Sequence, residues 1–357
     1  MSQAQALRKI MQVIGAKAAG GAETYYLRLI KALNEQVAII PVVRRHSWIA
    51  EQLTRQGIAF EALGFGGALD MTTGVKLKAL VRKYRPSIIQ GWMSRAMQHM
   101  PVSDVSVVAR LGGYYDLKYY RRADWLVGNT EDICTWLRGQ GWSQERVVYV
   151  PNFAPAPARR LSDEERSAMR RDVAGGAGAR MLFIAGRLHE NKGIDIALQA
   201  LREVPEDVHL VIAGDGPLHS QLEAQGRDLG VAGRVHFLGW RTDIDRLAGA
   251  MDVWLVPSRH EPLGNVVLDA WMQRVPVIAT RTHGPESLIE DGRTGRLVPI
   301  DDAAALAHAI RALLADPPGA VAMAAAGHER AQTAYAEPVV VERWLALYER
   351  AIAAGKA

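Results

Sequence analysis

The sequence holds one cysteine, Cys134, which excludes an intrachain disulfide and a cysteine-rich zinc site and points to a reducing, cytoplasmic compartment. No apolar run approaches the ~18 residues that a membrane-spanning helix needs. The longest candidates, residues 37–43 and 181–185, have strand length. No secretory hydrophobic region or small-residue cleavage site marks the N-terminus. No repeat of 20–50 residues is present either, which argues against a solenoid or propeller. The glycine-rich stretch at 15–24 is neither a G-x-G-x-x-G dinucleotide fingerprint nor a P-loop, because no Lys-Ser/Thr follows its glycines.

What remains is an ordinary globular composition. The 357 residues are 49% hydrophobic and 23% charged, long enough for two or three domains and too apolar for a disordered chain. The net charge of +5 is uneven. Residues 1–155 hold 20 Lys/Arg against 11 Asp/Glu, whereas residues 156–357 hold 23 against 27. A basic first half suggests an anionic partner, either nucleic acid or an acidic membrane surface.

The first half alternates strand and helix patterns. Strands are predicted at 9–14, 37–43, 58–63, 87–90, 105–109 and 125–128, with helices at 22–33, 47–56 and 75–84. Three prolines within residues 150–157 then read as an interdomain linker. The second half restarts the alternation, with strands at 181–185, 208–213, 235–238, 253–257 and 276–280. Helices fall at 193–201, 218–229, 244–250, 263–273 and 301–314. A last helix at 339–352 has a broad apolar face that calls for a packing partner. This is an α/β chain of two Rossmann-like domains, at 1–155 and 156–338, with helix 339–357 packing back on the first. Ligands of such sheets sit beyond the carboxyl ends of the strands, so the loops after strands are where chemistry is sought.

Three such loops stand out. Gly20 and Gly21 precede a helix, where backbone N–H groups approach a phosphate or simply make a tight turn. Gly186-Arg187-Leu188-His189-Glu190-Asn191-Lys192-Gly193 places Arg187 and Lys192 five apart, within reach of one dianion. Ser258-Arg259-His260-Glu261-Pro262-Leu263-Gly264-Asn265 opens a helix that carries Asp269. By local rules alone Glu261 is an acid placed by the helix dipole and Asp269 a solvated residue. Asp243-Ile244-Asp245 matches a metal-binding D-x-D, but carboxylates at a helix start are common for dipole reasons and no metal is expected. Cys134 falls in an apolar helix pattern and reads as a packed thiol.

Taken together, these residues resemble the retaining GT-B glycosyltransferases of family 4. The resemblance rests on Gly20 to Thr24, Gly186-Arg187-Leu188 with Asn191-Lys192-Gly193, and Ala213-Gly214-Asp215-Gly216-Pro217. Phe237-Leu238-Gly239-Trp240 and Pro257 to Asn265 complete the set, in family order over nearly the whole chain. Residues 113–120 and 241–243 are similar to bacterial lipopolysaccharide-core members. The resemblance implies two domains facing across a cleft and a retaining, metal-independent hexosyltransferase without a cofactor. Its donor would be a nucleotide-diphosphate sugar, mannose or glucose, and its acceptor an oligosaccharide or glycolipid. Gly20 and Gly21 would face the donor diphosphate, Arg187 and Lys192 would hold it, and Glu261 would contact the donor sugar. Gly264, Asn265 and Val266 would present the helix N-terminus, Trp240 and Arg241 would lie near the base, and Asp269 would take the ribose. The family most often has Glu where this chain has Asp269, and many members have a His where residues 109–113 have none.

The basic first half then gains a role. Lys76, Lys78, Arg82 and Lys83 surround the apolar positions Leu77, Leu80, Val81 and Tyr84 of one helix, a pattern suited to an anionic membrane face. Tyr114, Tyr115 and Lys118, with Arg110, Arg121 and Arg122, combine rings that stack on sugars with cations that bind acidic ones. The expected location is cytoplasmic, peripheral on the inner membrane face. Nucleic acid drops out, since no recognition motif accompanies the charge. A GT-B sugar-nucleotide epimerase and a catalytically silent nucleotide-sugar-binding scaffold are the alternatives.

Overall fold

The computed structural model describes residues 9–67, 70–157, 159–174 and 178–356. Residues 1–8, read above for a leader, lie outside that set. The chain divides into two compact units, Met1–Phe153 with Glu337–Ala357, and Ala154–Ala336. Each division falls two residues before the boundary expected from sequence.

The first unit is a parallel sheet of β1 (Lys9–Ile14), β2 (Ala38–Arg44), β3 (Glu61–Leu63), β4 (Ile88–Trp92), β5 (Ser106–Leu111), β6 (Trp125–Gly128) and β7 (Val147–Tyr149). Their order is β3-β2-β1-β4-β5-β6-β7, so the chain reverses its direction of travel between β1 and β4. Helices α1 (Gly21–Asn34), α2 (Trp48–Arg55), α3 (Met71–Tyr84), α4 (Met93–Gln98) and α5 (Glu131–Gly139) connect the strands. Every residue of β4 and β5 is buried, as a strand covered on both faces requires. Burial also pushes the Cys134 thiol of α5 up to about 11, the state of an inert packed thiol.

The second unit orders its parallel strands β10-β9-β8-β11-β12-β13 and reverses between β8 and β11. These are β8 (Arg180–Ala185), β9 (Val208–Ala213), β10 (Val235–Phe237), β11 (Val253–Val256), β12 (Val277–Thr280) and β13 (Arg296–Val298). Around them lie α6 (Asp163–Ala174), α7 (Ile194–Leu201), α8 (His219–Asp228), α9 (Ile244–Gly249), α10 (Asn265–Met272), α11 (His283–Leu288), α12 (Ala303–Ala315) and α13 (Pro317–Ala334).

The last helix, α14 (Glu337–Ala354), belongs to the first unit. Its Val340, Val341, Trp344, Leu347, Tyr348 and Ala351 join the same apolar cluster as Tyr25, Leu29 and Trp92. A buried polar chain ties it further. Trp92 Nε1 donates to Gln12 Oε1 at 2.7 Å, Gln12 Nε2 to the Tyr348 hydroxyl at 2.9 Å, and that hydroxyl to Gln90 Oε1 at 2.5 Å.

Candidate functional site

In the second unit, the reversal between β8 and β11 places the loops after these two strands side by side. This is where an open α/β sheet binds its ligand. Gly193 adopts φ +59°, and a Cβ there would sit 2.0 Å from the Pro257 carbonyl oxygen, so only glycine lets the two loops meet. Arg259 clamps them. Its backbone N–H donates to Asn191 O at 2.9 Å, and its guanidinium forms two bonds to Asp195 at 2.8 and 2.6 Å. A further contact reaches Asp301 at 2.6 Å. Both carboxylates push the Arg259 pKa up, Asp195 through its hydrogen bonds most of all.

The clamp brings together two residues that the sequence reading gave separate tasks. Lys192 Nζ lies 2.6 Å from Glu261 Oε2, with side-chain exposures of only 25% and 10%. The Lys192 stem crosses Gly186, where a Cβ would stand 3.4 Å from its Cε. The other carboxylate oxygen of Glu261 accepts the Gly264 N–H at 3.3 Å, and its backbone carbonyl accepts the Gly284 N–H at 2.8 Å. Gly264 then caps α10 at φ +67° with no side chain of its own, and Asn265 and Val266 form a first turn of positive dipole beside the ion pair. Asp269 lies on the second turn of α10, partly exposed. Arg187 is exposed on the loop after β8.

The loop after β10 holds Trp240, 67% exposed, a large ring with its face available. Arg241 beside it is occupied: Nε and Nη2 donate to the two oxygens of Asp243 at 2.9 and 2.7 Å. This fork also engages the carboxylate of the apparent D-x-D.

In the first unit, Gly20 caps α1 without a side-chain hydrogen bond, as an anion cradle requires. The carboxylate of Glu23, however, folds back over it. Its Oε2 lies 2.6 Å from the position of a Gly20 Cβ. Burial raises the Glu23 pKa, while its own backbone N–H and the charge of Arg110 work against that shift.

Arg110 corrects a sequence expectation. The sequence pattern sets it among the sugar-binding cations, yet it has 0% exposure near the end of β5. Its guanidinium lies over Tyr25 at 4.9 Å and Trp92 at 4.6 Å, and Nη2 donates to Asn152 Oδ1 at 2.5 Å. Nε and Nη1 have no hydrogen-bond partner among the described residues. The sequence reading ends this strand at residue 109, one short of Arg110, whereas the strand runs on to Leu111 and is buried throughout, so Arg110 cannot be a surface cation.

Elsewhere in this unit, α3 buries Leu77 and Val81 and leaves Lys76, Lys78, Arg82 and Lys83 exposed. Lys83 pairs with Glu61 at 2.9 Å. Tyr114 donates to Asp132 and stacks edge-on with Trp136, Tyr115 stacks on Tyr120, and Lys118 pairs with Asp116 at 2.5 Å. Among the described residues no helix is long and apolar enough to cross a membrane.

Residues 179–316 match the family model described as glycosyl transferases group 1. The chain is similar to two lipopolysaccharide core biosynthesis glycosyltransferases of Rhizobium meliloti (strain 1021). It is 32% identical to LpsE over 332 residues, covering 92% of this chain and 95% of that protein. It is likewise 32% identical to LpsD over 342 residues, covering 94% and 96%. Among solved structures, Anabaena HepE in complex with UDP and glucose superposes with a TM-score of 0.83 at 21% identity, covering 96% of this chain and all of that one. WaaG, a glycosyltransferase involved in lipopolysaccharide biosynthesis, gives 0.70 at 19% identity over 95% and 99%.

Proposed function

Because the chain belongs to the group 1 glycosyl transferases and has the GT-B fold, we propose that it is a retaining, metal-independent hexosyltransferase of family 4. In this reading it moves mannose or glucose from a nucleotide-diphosphate sugar to a lipopolysaccharide core or related glycolipid. Its full-length similarity to two core glycosyltransferases supports the acceptor class. The UDP and glucose bound to HepE support the donor class.

The observation that carries the reading is the Lys192–Glu261 pair against the first turn of α10. The barrier to transfer lies in departure of the nucleoside diphosphate. An ammonium and a helix N-terminus fixed in a partly dry loop cluster stabilise that charge without reorganising. Arg187, exposed beside them, adds a planar fork to the diphosphate. Glu261 accepts hydroxyl groups of the donor sugar, and Asp269 accepts those of the ribose. Trp240 covers the base, whereas Arg241 serves chiefly to orient Asp243. As the acceptor oxygen bonds to the anomeric carbon, the bond from that carbon to the phosphate oxygen breaks. The acceptor proton passes to the leaving phosphate. In this reading the enzyme works at the cytoplasmic membrane face, where a glycolipid is presented, with the exposed Lys76, Lys78 and Arg82 of α3 towards the anionic surface and Tyr114, Tyr115 and Lys118 towards the acceptor.

A thermal-shift screen against UDP-, GDP- and ADP-sugars tests the donor class. A ligand at a hundred times its Kd stabilises the native state by about 2.7 kcal/mol. No shift with any nucleotide sugar contradicts the reading.

A further inference from the structure

The α1 N-terminus, the position expected to cradle the donor diphosphate, already holds an anion of the chain's own. The Glu23 carboxylate lies over Gly20, its Oε2 2.6 Å from where a Cβ at residue 20 would stand. Nearby, the fully buried Arg110 guanidinium keeps its Nε and Nη1 donors without partners among the described residues, an arrangement that costs free energy unless something fills them in another state. Arg110 packs on Tyr25, two residues along the helix from Glu23, and its charge acts on both Glu23 and Tyr115.

We propose that Glu23 is a placeholder for the donor diphosphate and that Arg110 receives its carboxylate when the diphosphate arrives. This rests on the donor reading above. Two anions cannot share one cradle, so the entering phosphate drives the Glu23 side chain away from Gly20. Nε and Nη1 of Arg110, whose charge already acts on the Glu23 carboxylate, are unfilled cationic donors among the described residues. The exchange leaves the phosphate on the α1 N–H groups and the carboxylate on the guanidinium. Arg110 is thus a positioning residue that acts through Glu23 and does not touch the donor.

Calorimetry with UDP or GDP, whichever binds the wild type, tests this with Glu23→Gln, Arg110→Met and the double variant. Glu23→Gln removes the competing charge and keeps the shape, so the nucleoside diphosphate should bind about tenfold tighter. Arg110→Met removes the receptor, and binding should weaken by about tenfold. In the double variant the Arg110 effect should vanish, because residues that act through one another are not additive. Should Arg110→Met fail to fold, Arg110→Lys, which keeps the charge without the fork, should show a smaller loss that again disappears in the Glu23→Gln background. Weaker or unchanged binding by Glu23→Gln overturns the proposal, as does an Arg110 effect of equal size in both backgrounds. Lys192→Ala separates the two levels. If it weakens diphosphate binding while Glu23→Gln does nothing, the placeholder fails and the donor reading stands. If neither variant changes binding, both fail.

Discussion

Replacing Lys192 with alanine separates the structural from the catalytic share of the ion pair at α10. In the native chain Glu261 is 10% exposed, and its carboxylate is met by the Lys192 ammonium at 2.6 Å and the Gly264 N–H at 3.3 Å. Removing the ammonium leaves a nearly buried carboxylate with one long hydrogen bond. A charged hydrogen bond is worth about 1.5–3 kcal/mol, and the 25% exposure of Lys192 lets water recover part of it, so the stability loss should fall at the lower end. That is small against the ~5–15 kcal/mol that holds a domain folded, and the variant should remain native. Turnover has more to lose. Deleting one preorganised electrostatic contact to a developing charge typically lowers kcat by about 10²–10³. Lys192→Arg should retain more activity than Lys192→Ala, since it restores the charge, but less than wild type because the guanidinium is wider than the path across Gly186. Denaturant melts with kcat at saturating donor measure the two shares. Near wild-type kcat in a folded Lys192→Ala variant would refute the phosphate assignment and leave the pair a structural feature.

Three other outcomes follow from the same geometry. Asp269→Ala should weaken free nucleoside diphosphate and intact donor alike, by about ten- to a hundredfold, whereas Glu261→Ala should chiefly slow transfer; equal diphosphate affinity of wild type and Asp269→Ala by calorimetry would remove Asp269 from the site. Turnover should persist in excess EDTA, because the Arg241 fork neutralises Asp243; activity that is lost with EDTA and regained with Mg²⁺ or Mn²⁺ counts against this. Stability should also fall as pH drops below about 6.5. His209, His236 and His328 are each held below the usual histidine value, by burial first, so the unfolded chain takes up their protons before the folded one. His209 Nδ1 and His236 Nε2 lie 2.9 Å apart, so a His209→Asn/His236→Asn variant should show a flatter Tm against pH between about 6.5 and 5, and an unchanged slope would refute their contribution.

The strands that position the site were legible because parallel strands in a covered sheet are short apolar runs. Residues 125–128 and 208–213 are strands with the expected bounds. Failures came where that signal is weak. Helix α13 is a run of alanine and glycine without an apolar stripe, α6 is almost wholly polar, and β7 and β13 have three residues each. The predicted strand at 58–63 is paired only over Glu61–Leu63.

Motif order singles out these loops, but not what their side chains do in the free chain. Lys192 and Glu261 are 69 residues apart, and only the close approach of Gly193 to Pro257 makes them partners. The Arg259 clamp is equally tertiary. The sequence leaves the Gly20 loop open between an anion cradle and a tight turn, and Glu23, at the third helical position where a carboxylate reaches back to the N-cap, fills it.

The most direct test of the account is a product assay with a lipopolysaccharide core acceptor and the nucleotide sugar that stabilises the protein. Mass spectrometry should show the acceptor gaining one hexose for each nucleoside diphosphate released, and NMR should show the same anomeric configuration in product and donor. Inversion at that carbon would contradict retention. Conversion of the donor without acceptor would indicate an epimerase, and donor binding without turnover across a broad acceptor panel would indicate a scaffold; either would contradict hexosyl transfer.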